Sequence, residues 1–365
     1  MRIRHLGTRY IGMMVAFSAY TTTFINAETF VKSNDPNISY MGRRVMTEGK
    51  DVKFNYPGFT ALLNFSGESL DMLTSPGSGF WMVEVDGGEA KKMQVTPGDS
   101  ILSIATSLPE GEHSARVTYC IEGFEFNPEV RGFILPEGGR LLPQDPKGDL
   151  KIEFIGNSIT CGYGTEAAGA DIHFSYDTEN HCLGYAYLTA RELDADFNMV
   201  CRSGIGVYRN FDGPREGSAE GTMPLEYGNA LLYDADEPWD FSSFIPDIVC
   251  VNLGTNDTST DNYDITLFGK AYGEFVDRLR GYYPKAKIVL LTGSMLGGKE
   301  LRDVKTALDD ISASREGVYR FDMTPQDGSL GYGADYHPSA QQAQKMASEL
   351  TAYLRKLNKR PFKNL

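Results

Sequence analysis

Residues 151–160 read Lys-Ile-Glu-Phe-Ile-Gly-Asn-Ser-Ile-Thr (KIEFIGNSIT). An apolar run, Ile152–Ile155, stops at a tight Gly156-Asn157-Ser158 turn. Four more short β-rich runs follow at Phe197–Cys201, Ile248–Leu253, Lys287–Leu291 and Val318–Phe321. Longer amphipathic stretches at Leu183–Leu193, Leu267–Tyr282, Lys299–Ser312 and Ser339–Lys356 alternate with them. That alternation predicts βαβ units, hence an α/β fold with a five-stranded parallel sheet covered by helices on both faces. Ligands of such sheets sit beyond the carboxyl ends of the strands. Three of the runs feed Gly156-Asn157-Ser158, Ser203-Gly204-Ile205-Gly206 and Gly254-Thr255-Asn256-Asp257, so one sheet edge gathers a serine, a glycine turn and an asparagine.

Upstream the periodicity changes. Pro136–Leu150 is rich in Pro and Gly and reads as a linker. Before it lie Val52–Tyr56, Thr60–Phe65, Gly79–Val85, Lys92–Val95, Ile101–Ala105, His113–Cys120 and Gly132–Leu135, short β-rich runs between turn residues. Their number and spacing predict a β-sandwich, with Trp81 as core. Residues 1–27 open with Arg2, Arg4 and Arg9, continue through an apolar Tyr10–Tyr20 and end in small and polar residues at Ala27. This is the pattern of a secretory signal peptide, with an apolar run too short to span a bilayer. The expected division is therefore 1–27 leader, 28–147 sandwich and 148–365 α/β domain, with the mature protein exported to the periplasm or the medium.

The 365 residues are 41% hydrophobic and 23% charged, enough apolar material for a sizeable core. Loss of the leader, which holds three arginines and no acid, takes the formal charge from −14 to −17. Such a surface repels nucleic acid and other polyanions and suits a neutral substrate. Five cysteines cannot all pair. Cys201 and Cys250 read as buried thiols, and Cys161 and Cys182, which bracket one loop, are a candidate bridge if their Cα atoms come within about 7 Å, with a plain pair of thiols as the alternative.

Ser158 alone reads as a turn or helix-cap serine. An α/β-hydrolase elbow is excluded, because it needs glycine where Thr160 stands. His337 lies in the last loop of the sheet, in Gly333-Ala334-Asp335-Tyr336-His337-Pro338, with an acid two residues before it. Nucleophile, base and orienting group can thus meet at one edge. Oxyanion donors are expected from the Ser158 N–H, a glycine N–H of the second loop (Gly206, with Gly204 as the alternative) and the Asn256 amide.

Taken in order, Ile155–Thr160, the glycine loop, Gly254–Asp257 and Asp335–His337 closely resemble the four signature blocks of the SGNH (GDSL-like) hydrolases. Tyr40-Met41-Gly42-Arg43, Phe174–Asn180 and Ser203–Asn210 resemble carbohydrate esterase family two in particular. The resemblance implies an N-terminal jelly-roll sandwich and a C-terminal three-layer α/β/α, flavodoxin-like SGNH domain. It implies a serine esterase that removes O-acetyl groups from plant hemicellulose such as xylan or glucomannan, through an acetyl-enzyme and with no metal or cofactor. The orienting acid departs from the SGNH pattern. Most members place it three residues before the histidine, where this chain has Ala334, with Asp335 one place late. Asp335 is carried as a candidate third member, against a backbone carbonyl as the holder of the imidazole.

Tyr208, Trp239 and Tyr336 are the candidate sugar-contacting aromatics, with Tyr163 and Tyr176 also near the signature loops. The expected partner is an acetylated polysaccharide or oligosaccharide, with no nucleic acid and no membrane span. Competing readings are the same chemistry on a bacterial glycan acetyl, a lipid or a thioester, and a catalytically retired carbohydrate-binding protein. A metal-dependent deacetylase built on Asp171, His173 and His181 fits no standard ligand spacing.

Overall fold

The computed structural model describes residues 28–144 and 148–358, so the expected leader lies outside the described residues. The first part consists of short strands: β1 (Thr29–Lys32), β2 (Ser39–Met41), β3 (Val45–Met46), β4 (Val52–Lys53), β5 (Thr60–Ser66), β6 (Leu70–Thr74), β7 (Gly79–Val85), β8 (Lys91–Val95), β9 (Ile101–Ala105), β10 (Glu112–Tyr119), β11 (Glu129–Leu135) and β12 (Arg140–Leu142). They form two antiparallel sheets, β3-β4-β11-β6-β9 with β1 beside β11, and β12-β5-β10-β7-β8 with β2 beside β5. Strand side chains alternate between faces, and the inward set includes Phe54, Leu63, Phe65, Trp81, Val117 and Phe133, all fully buried. Trp81 donates its indole N–H to Ser78 Oγ at 3.1 Å. The stretch read as a linker loses its middle to this sandwich. Arg140–Leu142 pairs with β5 and buries Leu141.

The second part is built on β13 (Lys151–Gly156), β14 (Asp196–Cys201), a small hairpin β15 (Asn229–Leu231) and β16 (Asp234–Pro238), then β17 (Ile248–Asn252), β18 (Lys287–Thr292) and β19 (Val318–Asp322). The sheet is parallel, in the order β14-β13-β17-β18-β19. Its helices are α1 (Ser158–Cys161), α2 (Tyr185–Glu192), α3 (Met223–Glu226), α4 (Ile265–Tyr282), α5 (Gly298–Ala313) and α6 (Ala340–Asn358). Successive strand residues join opposite cores. Ile152, Phe154, Cys250, Val289 and Leu291 pack in one cluster with Tyr185 of α2 and Leu350 of α6. Ile155, Val251, Ile288 and Leu290 pack in another with Phe268 and Tyr272 of α4 and Leu308 of α5. The result is three α/β/α layers. None of the described helices is long and apolar enough to cross a membrane.

The first cluster continues into the sandwich core without a break. On the other face of β13, Arg43 from the β2–β3 turn pairs with Glu153 at 3.3 Å, both side chains fully buried. The same guanidinium donates to the Tyr227 carbonyl and, at 2.8 Å, to that of Asn229. All five thiols are buried and free. Cys161 and Cys182, weighed as a bridge, lie beside different thiols, Cys201 and Cys120.

Candidate active site

The strand order reverses between β13 and β17, each the start of a run of neighbours in the opposite direction. That switch point opens a crevice at the carboxyl ends, flanked by the loops that carry Ser158 and Asn256. Ser158 opens the one-turn helix α1. Asn157 caps it by accepting the Ile159 N–H at 3.1 Å, and Gly162, at φ +85°, closes it on the Ser158 carbonyl. Gly156 is required because Thr160 folds back over it: a Cβ there would stand 2.0 Å from Thr160 Oγ1. That hydroxyl bonds to Tyr185 OH at 2.9 Å, which fixes the turn to α2.

His337 Nε2 lies 2.9 Å from Ser158 Oγ, and its Nδ1 lies 3.0 Å from the Ala334 carbonyl oxygen. A carbonyl only accepts, so Nδ1 carries the proton and Nε2 is left to accept from the serine hydroxyl. Burial lowers the imidazole pKa, outweighing the neighbouring carbonyls and the Asp335 charge. The base is therefore neutral at pH 7. Tyr163 stacks on the imidazole, centroids 4.0 Å apart at 28°, and Phe174 stacks on Tyr163 at 4.3 Å.

Asp335 does not reach the imidazole. It sits at φ +48°, ψ +44°, in a left-handed turn that sends its carboxylate away from the ring. Its Oδ2 accepts from Tyr163 OH at 2.9 Å and the Phe174 N–H at 3.0 Å, and its Oδ1 pairs with His173 Nδ1 at 2.9 Å. Burial acts to raise its pKa, but these bonds prevail and hold it below the usual carboxylate range. Ala334 is small for a visible reason: it is fully buried against Gly164, whose own Cβ would meet the alanine Cβ at 2.3 Å.

On the anion side, Ser158 N–H has no acceptor among the described residues. Asn256 spends one amide hydrogen on the Ile205 carbonyl at 2.8 Å and keeps the other. Gly206, expected as the second donor, already spends its N–H, whereas Gly204, the alternative, does not. The Ile205–Gly206 peptide points its oxygen at Asn256, so its N–H points the opposite way across the planar amide, and it donates to Asn210 Oδ1 at 3.1 Å. Gly204, at φ +75°, has open space where a Cβ would be, and its N–H has no acceptor among the described residues. The loop is held by Asp257, whose Oδ1 accepts the N–H groups of Val207 and Tyr208 at 2.8 and 2.9 Å. Burial raises the Asp257 carboxyl to about 6 against those bonds.

Two expected sugar contacts stand elsewhere. Tyr208 is 7% exposed and its hydroxyl accepts the Asp264 N–H at the start of α4. Trp239 packs over Arg43 and lines a groove with Lys151 and Asp196, the first residues of β13 and β14, at the opposite end of the sheet from Ser158. Tyr336 is 59% exposed beside His337. Phe211, not singled out in the sequence, is 65% exposed, and its N–H donates to the Gly204 carbonyl at 2.9 Å. His173 is exposed and His181 fully buried, so they share no site.

The carbohydrate esterase 2 N-terminal family model matches residues 40–144, and the GDSL-like lipase/acylhydrolase family model matches 154–345. A cellulase/esterase of Acetivibrio thermocellus is 35% identical over 329 residues, which are 88% of this chain and 40% of that protein. This chain thus spans well under half the length of that relative. An acetylxylan esterase / glucomannan deacetylase of Cellvibrio japonicus is 28% identical over 92% of this chain and 93% of its own length. A family two carbohydrate esterase from Clostridium thermocellum, solved in complex with cellohexaose, superposes with a TM-score of 0.81 at 34% identity, over 88% of this chain and 99% of that one.

Proposed function

The chain belongs to carbohydrate esterase family two of the GDSL-like hydrolases, and from that premise we propose that it is a carboxylic ester hydrolase removing O-acetyl groups from acetylated xylan, glucomannan or their oligosaccharides. The observation that carries this reading is the 2.9 Å contact between His337 Nε2 and Ser158 Oγ beside unspent amide donors. Ser158 Oγ attacks the acetyl carbonyl while His337 accepts its proton. The developing oxyanion is held by Ser158 N–H, Gly204 N–H and the second hydrogen of the Asn256 amide. His337 then protonates the departing sugar oxygen, and water activated by the same imidazole releases acetate from Ser158. Ser158 and His337 act as a dyad in which the Ala334 carbonyl fixes the tautomer.

Tyr336 and Phe211 offer exposed ring faces near the base and near Gly204, and a pyranose ring has apolar faces that stack on such groups. The activity, substrate and partners of relatives support this assignment by similarity. The test is acetate release from acetylated xylan, acetylated glucomannan and a lysophospholipid. Release from the two polysaccharides and none from the lipid is expected; turnover of the lipid alone would overturn the substrate class.

A further inference from the structure

We infer that Glu122, a residue of the sandwich, is a positioning residue for the oxyanion donor Gly204. The inference rests on the esterase reading above. Glu122 lies in the turn between β10 and β11 and is 3% exposed. Its Oε1 accepts the Ser203 N–H at 2.8 Å, and its Oε2 accepts the Ser203 hydroxyl in a short bond. Both oxygens of one carboxylate thus grip the residue directly before Gly204. From the other side, Arg202 Nη1 donates to the Ser203 carbonyl at 3.3 Å. That carbonyl and the Gly204 N–H belong to one planar peptide and point opposite ways. Holding the oxygen toward Arg202 and the preceding amide toward Glu122 leaves the Gly204 N–H a single direction.

The clamp is itself braced. Arg202 is bound by Glu226 at 3.0 Å and donates to the Gly221 carbonyl. Glu122 N–H donates to Glu179 Oε2 at 3.3 Å, and Gly123 N–H to the Asn55 carbonyl at 2.8 Å. A glycine loop has little stiffness of its own, and a preorganised donor is worth more than one that must be ordered during the reaction. The sandwich therefore contributes to the transition state without touching substrate.

The test compares the parent protein with Glu122→Ala, Glu122→Gln and Ser203→Ala on an aryl acetate, with kcat referred to the acetyl burst amplitude so that only competent sites are counted. Glu122→Ala is expected to lower kcat by roughly 10- to 100-fold, less than removal of a donor outright, with KM changed by under about threefold. Glu122→Gln, whose amide oxygen still accepts from Ser203 N–H, is expected to recover kcat to within about fivefold of the parent. Ser203→Ala, which keeps the N–H bond, falls between them and carries the test if Glu122→Ala does not fold. Parent-like kcat per site in Ser203→Ala and in any folded Glu122→Ala would overturn the inference. A parent protein that turns over no ester would overturn the esterase reading and this inference with it.

Discussion

The imidazole of His337 is held by the carbonyl of Ala334, 3.0 Å from Nδ1, while the carboxylate of the next residue faces away. A carbonyl fixes the tautomer and orientation but supplies no full charge to the imidazolium. In the proposed mechanism the base is a member of a dyad, and its dependence on each neighbour can be measured.

Asp335→Ala is expected to lower kcat only a few-fold, against the roughly 10⁴-fold loss when a triad carboxylate is removed. The loss that remains comes from loosening Tyr163 and Phe174, both bound by that carboxylate. Steady-state kinetics on an aryl acetate check it. A loss near the triad value would mean that the carboxylate, not the carbonyl, supports the base.

Asn256→Ala is expected to reduce kcat by about 10²–10³ with KM little changed, as for other oxyanion donors. The Ile205 carbonyl also loses its 2.8 Å partner, so the melting temperature is measured alongside to separate the two effects.

The pH profile follows from the direction of the His337 shift. Burial lowers its pKa, and the neutral form is the active one. Activity is therefore retained as pH falls to the ordinary histidine value of about 6.5 and is lost only below it. A kcat/KM profile with its acid limb above that value would contradict the assigned environment.

Arg43→Ala leaves Glu153 buried with Tyr227 OH as its remaining partner. Breaking a buried pair on one side costs about 3–5 kcal/mol, so the thermal or denaturant midpoint should fall markedly. Replacing Arg43 and Glu153 together by apolar residues should recover much of the loss. A midpoint unchanged in Arg43→Ala would show that the pair does not tie the sandwich to the sheet.

Much of this architecture was legible in the chain. The runs at Ile152, Phe197, Ile248, Lys287 and Val318 are long enough and apolar enough to declare the parallel sheet, and each appears as a strand. α4 begins two residues before the expected start because Asp264 caps it, accepting the Thr266 and Leu267 N–H groups. The strand Leu70–Thr74 is not among the expected runs because Leu73 puts an apolar residue on its outer face and blurs the alternation. At the site, His337 Nε2 lies within hydrogen-bond distance of Ser158 Oγ, and Asn256 bonds to the Ile205 carbonyl of the glycine loop. What sequence could not supply was direction. Whether Gly204 or Gly206 offers its N–H depends on the rotation of one peptide, and whether Asp335 meets the imidazole depends on a left-handed φ at a non-glycine residue. Trp239 and Tyr208 lie close in the chain to signature loops yet point to another edge and another helix. Glu122 is distant from Ser203 in sequence and joins it only through the packing of sandwich on sheet.

In the proposed mechanism Ser158 attacks with His337 as its base, and kcat for acetate release by folded Ser158→Ala tests this step without an intermediary. A loss on the order of 10⁶, down to what the oxyanion donors and binding alone provide, is the expected result. Activity within about tenfold of the parent would contradict it, because no other hydroxyl is bonded to His337 Nε2 among the described residues.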